Sequence, residues 1–453
     1  MQYIVRYLVK KIMTTFPQVQ QCLLGQNHLR TTKDNRVLII HPHPDIDSNL
    51  TMAFLLESLS ERKMEVDVLQ AYGGGFLSPT PFGDTIHLQS LPYSFFVRPY
   101  FYYQRSFPKR LLHRTGLKLL HSGRQFDYPL KFDPFVFGLL HARRYSVIVG
   151  VDPFGIALAD LVNKWAKRPL VYISFEMLFA DELVSEDELE LRKLERAACE
   201  RTSLVLIQDD KRADLFCREL SFDRHKIITV PVAPPPPGLG KSNYLRESLG
   251  IPSHKRIVLF CGNLDAWSSR DQLAEMVSYW PEKYCLVIHL PSKVNKRLAR
   301  YLKRLSETGR IYISSHPLPR ENMTQLIASA DFGLAPYLPV PDHWWTGDNL
   351  HYLGFSSSKV SSFAACGLPM LVRSLPVFDR EFGKYQCGKV YQRITDTGQM
   401  LAEMDQNYAY YSDEAHRFYQ ERLNPVQGMR KFCNHLSRLA GTGMENDDVR
   451  DFP

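Results

Sequence analysis

Residues 231–238 read PVAPPPPG, and no other stretch constrains the chain as much. Four consecutive prolines cannot lie inside a helix, where each ring removes a hydrogen bond and clashes with the preceding turn. Nor can they lie in a central strand, which needs its N–H groups. The stretch is a stiff connector, and it separates two runs of the same rhythm. Before it come VLIIH (37–41), helix-like 48–62, EVDVL (65–69), YSVIVGV (145–151), helix-like 154–166, LVYIS (170–174), helix-like 186–200, LVLIQ (204–208), helix-like 210–220 and IITVP (227–231). After it come RIVLFC (256–261), helix-like 269–278, YCLVIHL (284–290), helix-like 294–307, RIYIS (310–314), helix-like 321–330, DFGLAPY (331–337), helix-like 357–366 and PMLVR (369–373). Short apolar runs separated by helices predict α/β domains, each a parallel sheet with helices on both faces. Two doubly wound domains in tandem face each other across a cleft, and ligands bind such sheets beyond the carboxyl ends of the strands. The expected division is a segment 1–35, a first domain 36–232, a second domain 233–405, and a helix-like stretch and tail 406–453.

Composition narrows the function classes. With 44% hydrophobic and 23% charged residues the 453-residue chain is globular. No apolar run reaches the roughly 18 residues of a membrane-spanning helix. The 56 basic and 48 acidic residues leave +8, too little for a protein that coats nucleic acid but enough for one local basic surface. The eight cysteines show no CxxC spacing, and several lie in apolar runs. They read as reduced thiols of a cytosolic protein, not as a disulfide framework or a zinc ribbon.

The stretch richest in chemistry is GDNLHYLGFSSSKVSSFAACGLPMLV (347–372). A Gly- and Ser-bearing loop runs into a helix, then a Gly turn, a Pro and a buried strand. Ser356, Ser357 and Ser358 are helix-capping types, and Lys359 follows at the helix start. Free N–H groups, hydroxyls and a lysine at a helix N-terminus make an anion site, and the same residues also suit a capped core helix with a solvated lysine.

This segment resembles the donor-binding helix of GT-B glycosyltransferases of the glycosyltransferase family 4-like branch. SSKVSSFAACGLPML stands where that family has a pattern of the type pSKxxEYxAxGxPVI. In order along the chain, SLVLIQDDKRADLF (203–216), KIITVPVAPPPPG, LFCGNLDAWSSRDQL (259–273), ENMTQLIASADFGLAPY (321–337) and VFDREFGKYQCGKVY (377–391) resemble further parts of it. The resemblance covers about residues 145 to 440. It implies two Rossmann-like domains, with a C-terminal helix returning towards the first. It also implies a nucleoside-diphosphate-sugar donor, UDP- or GDP-linked, on the second domain. Transfer would go to a glycan or lipid-linked acceptor, with retention of anomeric configuration and no metal or other cofactor. Gly262 and Asn263 would form the loop after the first strand, and Arg270 would hold the diphosphate. Ser357, Ser358 and Lys359 would hold the diphosphate or sugar, Asp348 and Asn349 would read sugar hydroxyls, and His316 would sit by the base. The chain departs from the family at three places. Gly354 and Ser362 stand where two glutamates are usual, and Asn263 stands where Arg is usual.

The loop HPHPDIDSN (41–49) of the first domain admits several readings. Asp45 and Asp47 form a DxD, a cation-binding pattern of a different architecture. The loop also resembles that of zinc-dependent N-acetylglucosamine deacetylases, in which His43 and Asp45 would be metal and base residues. The reading preferred over both is a turn that caps helix 48–62 through Asp47 or Ser48. In a GT-B cleft it faces the acceptor, so His43 and Asp45 are candidate catalytic residues, joined by Glu176 at the end of the strand 170–174. A non-catalytic GT-B scaffold is the remaining alternative.

Two stretches point to a surface partner. Residues 1–33 hold five bases and no acid, with Ile4, Leu8, Ile12 and Phe16 at helical spacing. They suit a basic amphipathic helix on an anionic membrane, or one packed on the protein's own core. Residues 93–131 interleave aromatics with eight bases against the single acid Asp127. That pattern suits an anionic bilayer or single-stranded nucleic acid, and the glycosyltransferase resemblance favours the bilayer. The expected location is the cytoplasm, peripheral on the cytoplasmic face of a membrane, with no nucleic-acid partner.

Overall fold

The computed structural model describes residues 36–44, 46, 48–72, 81–92, 144–238, 240–290, 294–315, 318–341 and 345–441. The basic stretches 1–33 and 93–131 lie outside these residues.

The first half builds β1 (Arg36–His41), β2 (Glu65–Tyr72), β3 (Ile86–Pro92), β4 (Val147–Val151), β5 (Leu170–Ile173), β6 (Thr202–Ile207) and β7 (Ile227–Thr229). Around them pack α1 (Leu50–Glu61), α2 (Asp152–Ala166), α3 (Glu186–Cys199) and α4 (Asp210–Leu220). All strands pair in parallel, in the order β3-β2-β1-β4-β5-β6-β7. Each central strand is apolar on both sides because both sides are covered. Val37 and Ile39 of β1 join the core beneath α1, while Leu38 and Ile40 join the core beneath α2.

The second half repeats the plan with β8 (Arg256–Cys261), β9 (Tyr284–His289), β10 (Ile311–Ser314), β11 (Phe332–Ala335), β12 (Met370–Arg373) and β13 (Gly388–Tyr391). Its parallel order is β10-β9-β8-β11-β12-β13. Its helices are α5 (Tyr244–Leu249), α6 (Leu273–Ser278), α7 (Lys296–Ser306), α8 (Arg320–Ala328), α9 (Asp348–His351), α10 (Ser358–Ala365), α11 (Pro376–Tyr385), α12 (Thr397–Gln406) and α13 (Tyr408–Phe418). In each sheet the order reverses beside the first strand, between β1 and β4 and between β8 and β11. These are the two topological switch points, where doubly wound sheets open a crevice for ligands.

The stretch 406–440, helix-like throughout by sequence, is interrupted. After α13 come a π-turn (Tyr419–Leu423), Asn424 and Pro425, and then α14 (Val426–Ala440). Pro425 has no N–H to continue the helix. Phe418, Tyr419 and Leu423 pack in the core of the second half, whereas Met429, Phe432, Cys433 and Leu436 of α14 pack with Val37, Ile39 and Leu56 of the first. The chain therefore returns to its first half at Pro425.

The halves are joined by buried polar contacts. Arg212 of α4 is 1% exposed and donates to the carbonyls of Phe175 (2.7 Å) and Tyr352 (3.0 Å) and to Asn349 Oδ1 (3.2 Å). Asn349 clamps the backbone of Met177, accepting from its N–H at 3.0 Å and donating to its carbonyl at 2.7 Å. Asp209 caps α4 through Arg212 N–H and accepts from Phe355 N–H at 2.8 Å. Burial pulls the Arg212 guanidinium below its ordinary pKa, and Glu176, Asp209 and Asp152 oppose that pull. Arg212→Met should leave the Phe175 and Tyr352 carbonyls buried and unbonded, lowering stability by about 2–4 kcal/mol. An unchanged midpoint of urea unfolding would show that Arg212 does not hold the halves together.

Candidate functional site

The second switch point is built by Gly262, one residue beyond β8, and by Tyr337, two beyond β11. Gly262 has φ +137°, a conformation open to glycine and strained for other residues. The N-terminus of α10 meets it there. Ser357 caps α10, its Oγ accepting from Val360 N–H at 3.1 Å and lying 2.7 Å from Tyr337 Oη. Ser358 is the first residue of α10, and Lys359 follows. The Lys359 Nζ lies 4.9 Å from the Tyr337 ring centre, 5.0 Å from Trp267 and 5.5 Å from Phe260. A Cβ on Gly262 would sit 2.8 Å from that nitrogen. Among the described residues no carboxylate forms an ion pair with Lys359. A half-buried cation held by ring faces, next to a helix N-terminus and without an ion-paired carboxylate among the described residues, is chemically able to attract an anion.

The other donor-side candidates divide. Asn263 is exposed beside Gly262. Arg270 pairs with its neighbour Asp271 at 3.0 Å, and its carbonyl accepts from Tyr301 at 2.7 Å; none of its recorded contacts is to Gly262 or Lys359. Asn349 is 2% exposed and its amide clamps Met177, so it holds the halves together instead of facing sugar hydroxyls. The Asp348 N–H donates to Glu182 Oε1 at 2.7 Å. Asp348 lines a cavity of about 290 Å³ with Asp181, Glu182 and His351, and burial first, then Asp181, raises its pKa. His316 lies outside the described residues. Gly354 has φ +56°, and a Cβ there would meet the Asp209 carboxylate, so a larger residue at this position would strain the backbone and displace Asp209 from its bond to Phe355 N–H.

The first switch point carries His43, two residues beyond β1, and Asp152, directly after β4. His43 Nε2 lies 2.9 Å from Asp152 Oδ2. The other oxygen, Oδ1, accepts from the N–H groups of Phe175 (2.7 Å) and Glu176 (2.9 Å). Asp152 is 4% exposed and has φ +57°, strained for a residue with a Cβ. Trp345, from the loop between β11 and α9, sets its ring edge-on to His43 at 5.8 Å, so a loop of the second half reaches across to the first. Glu176 is half-buried beside this group, and Asp45 lies outside the described residues. Among the described residues no cluster of three or more His, Cys, Asp or Glu could hold a metal ion.

Asp152, Trp267, Tyr337 and Trp345 were not singled out by sequence. Asp152 had one local signal, an Asp-Pro pair where a strand gives way to a helix. The aromatic residues had none, because strands distant in sequence bring them together.

No family profile matches the chain, and no curated protein sequence does. Solved structures do. Anabaena HepE in complex with UDP-glucose superposes with TM-score 0.60 at 13% identity, over 89% of this chain and 99% of that one. Sucrose-phosphate synthase of Thermosynechococcus elongatus gives 0.62 at 13%, over 90% and 99%. WaaG, a glycosyltransferase involved in lipopolysaccharide biosynthesis, gives 0.57 at 14%, over 89% and 100%. The fold is GT-B. In this GT-B chain Lys359 lies at the switch point of the second sheet and His43 at that of the first.

Gly262→Ala places a methyl against Lys359 and strains the backbone. Stabilisation by inorganic pyrophosphate in thermal unfolding should fall to near zero in this variant. An undiminished shift would mean that pyrophosphate binds elsewhere.

Proposed function

We propose that the protein is a glycosyltransferase that moves a sugar from a nucleoside diphosphate to a hydroxyl of a glycan or lipid-linked acceptor. The observation that carries this reading is Lys359, caged by three aromatic rings at the N-terminus of α10 and left without a carboxylate. Breaking the sugar–diphosphate bond leaves negative charge on the diphosphate, and a fixed cation with helix N–H groups stabilises it in the transition state without a metal. Two further points support the reading. The GT-B fold is shared with a protein crystallised with UDP-glucose. The resemblance of residues 347–372 to a donor-binding helix includes Lys359, the cation that the rings of Phe260, Trp267 and Tyr337 hold.

On the acceptor side, His43 would take the proton of the attacking hydroxyl. Asp152, fixed by two backbone N–H groups, would orient the ring and stabilise the imidazolium. The family resemblance implies retention. One observation favours a second reading, single displacement with inversion: the His43–Asp152 pair is what an in-line attack by an acceptor hydroxyl needs. The anomeric configuration of the product, read by NMR, decides between them.

Thermal unfolding with UDP, GDP, ADP and CMP, with magnesium or EDTA, tests the donor site. One nucleoside diphosphate should stabilise the protein by about 2.7 kcal/mol at a hundredfold excess over its Kd. The effect should not need metal, should be absent in Lys359→Ala, and should persist in Arg270→Ala, whose guanidinium Asp271 already engages. No response to any nucleotide, with destabilisation by EDTA, would replace the reading with a metal-dependent deacetylase at the His43 loop. Binding without turnover would make the protein a sugar-nucleotide-binding scaffold.

His43→Ala and Asp152→Asn should lower kcat by roughly a hundredfold or more while nucleotide stabilisation persists. Unchanged turnover in both would remove the pair from the chemistry.

A further inference from the structure

We propose that the outer face of α7 docks the protein on an anionic lipid bilayer. The helix reads KRLARYLKRLS. At 100° per residue Lys296, Arg297, Arg300, Lys303 and Arg304 fall within an arc of about 120°. Leu298, Tyr301, Leu302 and Leu305 share the opposite side. All five cations are exposed, while Leu302 and Leu305 are buried against β9 and β10 with Leu286, Ile288 and Ile311.

This cationic stripe works against the helix that carries it. Lys296 and Arg297 occupy the first turn, where the helix dipole favours acids, and no acid is present there. Lys296 with Arg300, and Arg300 with Arg304, are like charges four residues apart, which repel. Among the described residues none of the five meets a carboxylate. Several cations elsewhere in the same domain are answered: Arg246 and Arg256 by Asp331, Lys283 by Asp405, Lys389 by Glu403, Arg417 by Glu414. The core of the domain needs only the inner side of α7. Five unanswered charges on the outer side therefore match a polyanion outside the protein.

The chemistry of the face selects lipid. Binding single-stranded nucleic acid uses exposed rings on which bases stack. The one aromatic of α7, Tyr301, turns inward and donates to the Arg270 carbonyl at 2.7 Å. The apolar side chains also face the protein's own core, so the helix adsorbs by charge and does not insert. Its eleven residues lay a rod of about 16 Å along a surface, and each Lys or Arg near an anionic leaflet adds attraction. α7 starts at the carboxyl end of β9, the end of the sheet that carries Gly262 and Lys359. Docking is thus distinct from the basic segments 1–33 and 93–131 and stands whether or not sugar transfer is confirmed.

The test is co-sedimentation of the full chain with phosphatidylcholine vesicles, with and without phosphatidylglycerol. The wild type should bind only the anionic vesicles and dissociate as salt rises towards about 0.5 M. K296Q/R300Q/K303Q should bind roughly a hundredfold more weakly. Its unfolding midpoint and its response to pyrophosphate should stay those of the wild type, which separates loss of docking from loss of fold or of the donor site. R297K/R300K/R304K, which keeps the charge, should bind as the wild type does. Undiminished binding by the glutamine variant, equal binding to neutral vesicles, or retention on a single-stranded oligonucleotide in place of vesicles would each overturn the proposal.

Discussion

A guanidinium with no room for water sets the geometry of this molecule. Arg212 is buried at the junction of the two domains and donates to backbone carbonyls on both sides. Desolvating a charge is costly, and here hydrogen bonds to dipoles offset the cost where a paired carboxylate might have done so. Because carbonyls belong to fixed backbone, the bonds define positions as well as energy. They tie residues 349–352 of the second domain to Phe175 of the first. Asn349, reading both polar groups of Met177, removes the remaining freedom at that point. The loop between β11 and α9 is anchored at its far end by this clamp, and from it Trp345 reaches His43.

The two switch points then carry different charges. The second offers a lysine held by rings. Aromatic faces stabilise a cation but leave it able to take an anion, whereas a carboxylate would have neutralised it. The first offers a histidine against a carboxylate whose other oxygen is fixed by two N–H groups. The left-handed backbone at Asp152 is a local strain tolerated because those two bonds and the strand behind it over-determine the conformation. On the proposed reading, the cation would meet the departing anion and the oriented histidine would take a proton.

What could be read from the sequence follows from how local each signal is. Strands buried on both faces announce themselves as apolar runs, so the central strands were legible. β3 and β13 were not singled out: β3 carries the polar His87, Gln89 and Ser90 and β13 begins Gly-Lys, so neither shows an apolar run. Gly262 and the Ser357–Lys359 cap were legible because their chemistry is carried within a few adjacent residues. The pairing of Arg270 with Asp271 was not legible, because a positive charge near a glycine loop looks the same in sequence whether or not its neighbour answers it. Asn349 was misjudged because an amide in a cleft loop suits a sugar as well as it suits a backbone. Asp152 needed His43, 109 residues away, to acquire its meaning.

The tetraproline that divides the sequence is tied into the fold on its second-domain side. Before it, Val232 N–H donates to the Phe355 carbonyl at 2.9 Å and the Val232 carbonyl accepts from Ser361 Oγ at 2.6 Å. Within it, the Pro234 carbonyl accepts from Tyr419 at 2.7 Å. Ser361 is part of α10, the helix that presents Lys359, and Tyr419 belongs to the turn that precedes the return at Pro425. The same few residues therefore hold the outgoing crossing, the returning crossing and the helix that presents Lys359. A stiff connector bonded in this way transmits position where a flexible one would absorb it. The connector is thus fixed against the helix that carries Lys359 by bonds on both sides of it, and less binding energy is lost to ordering that helix.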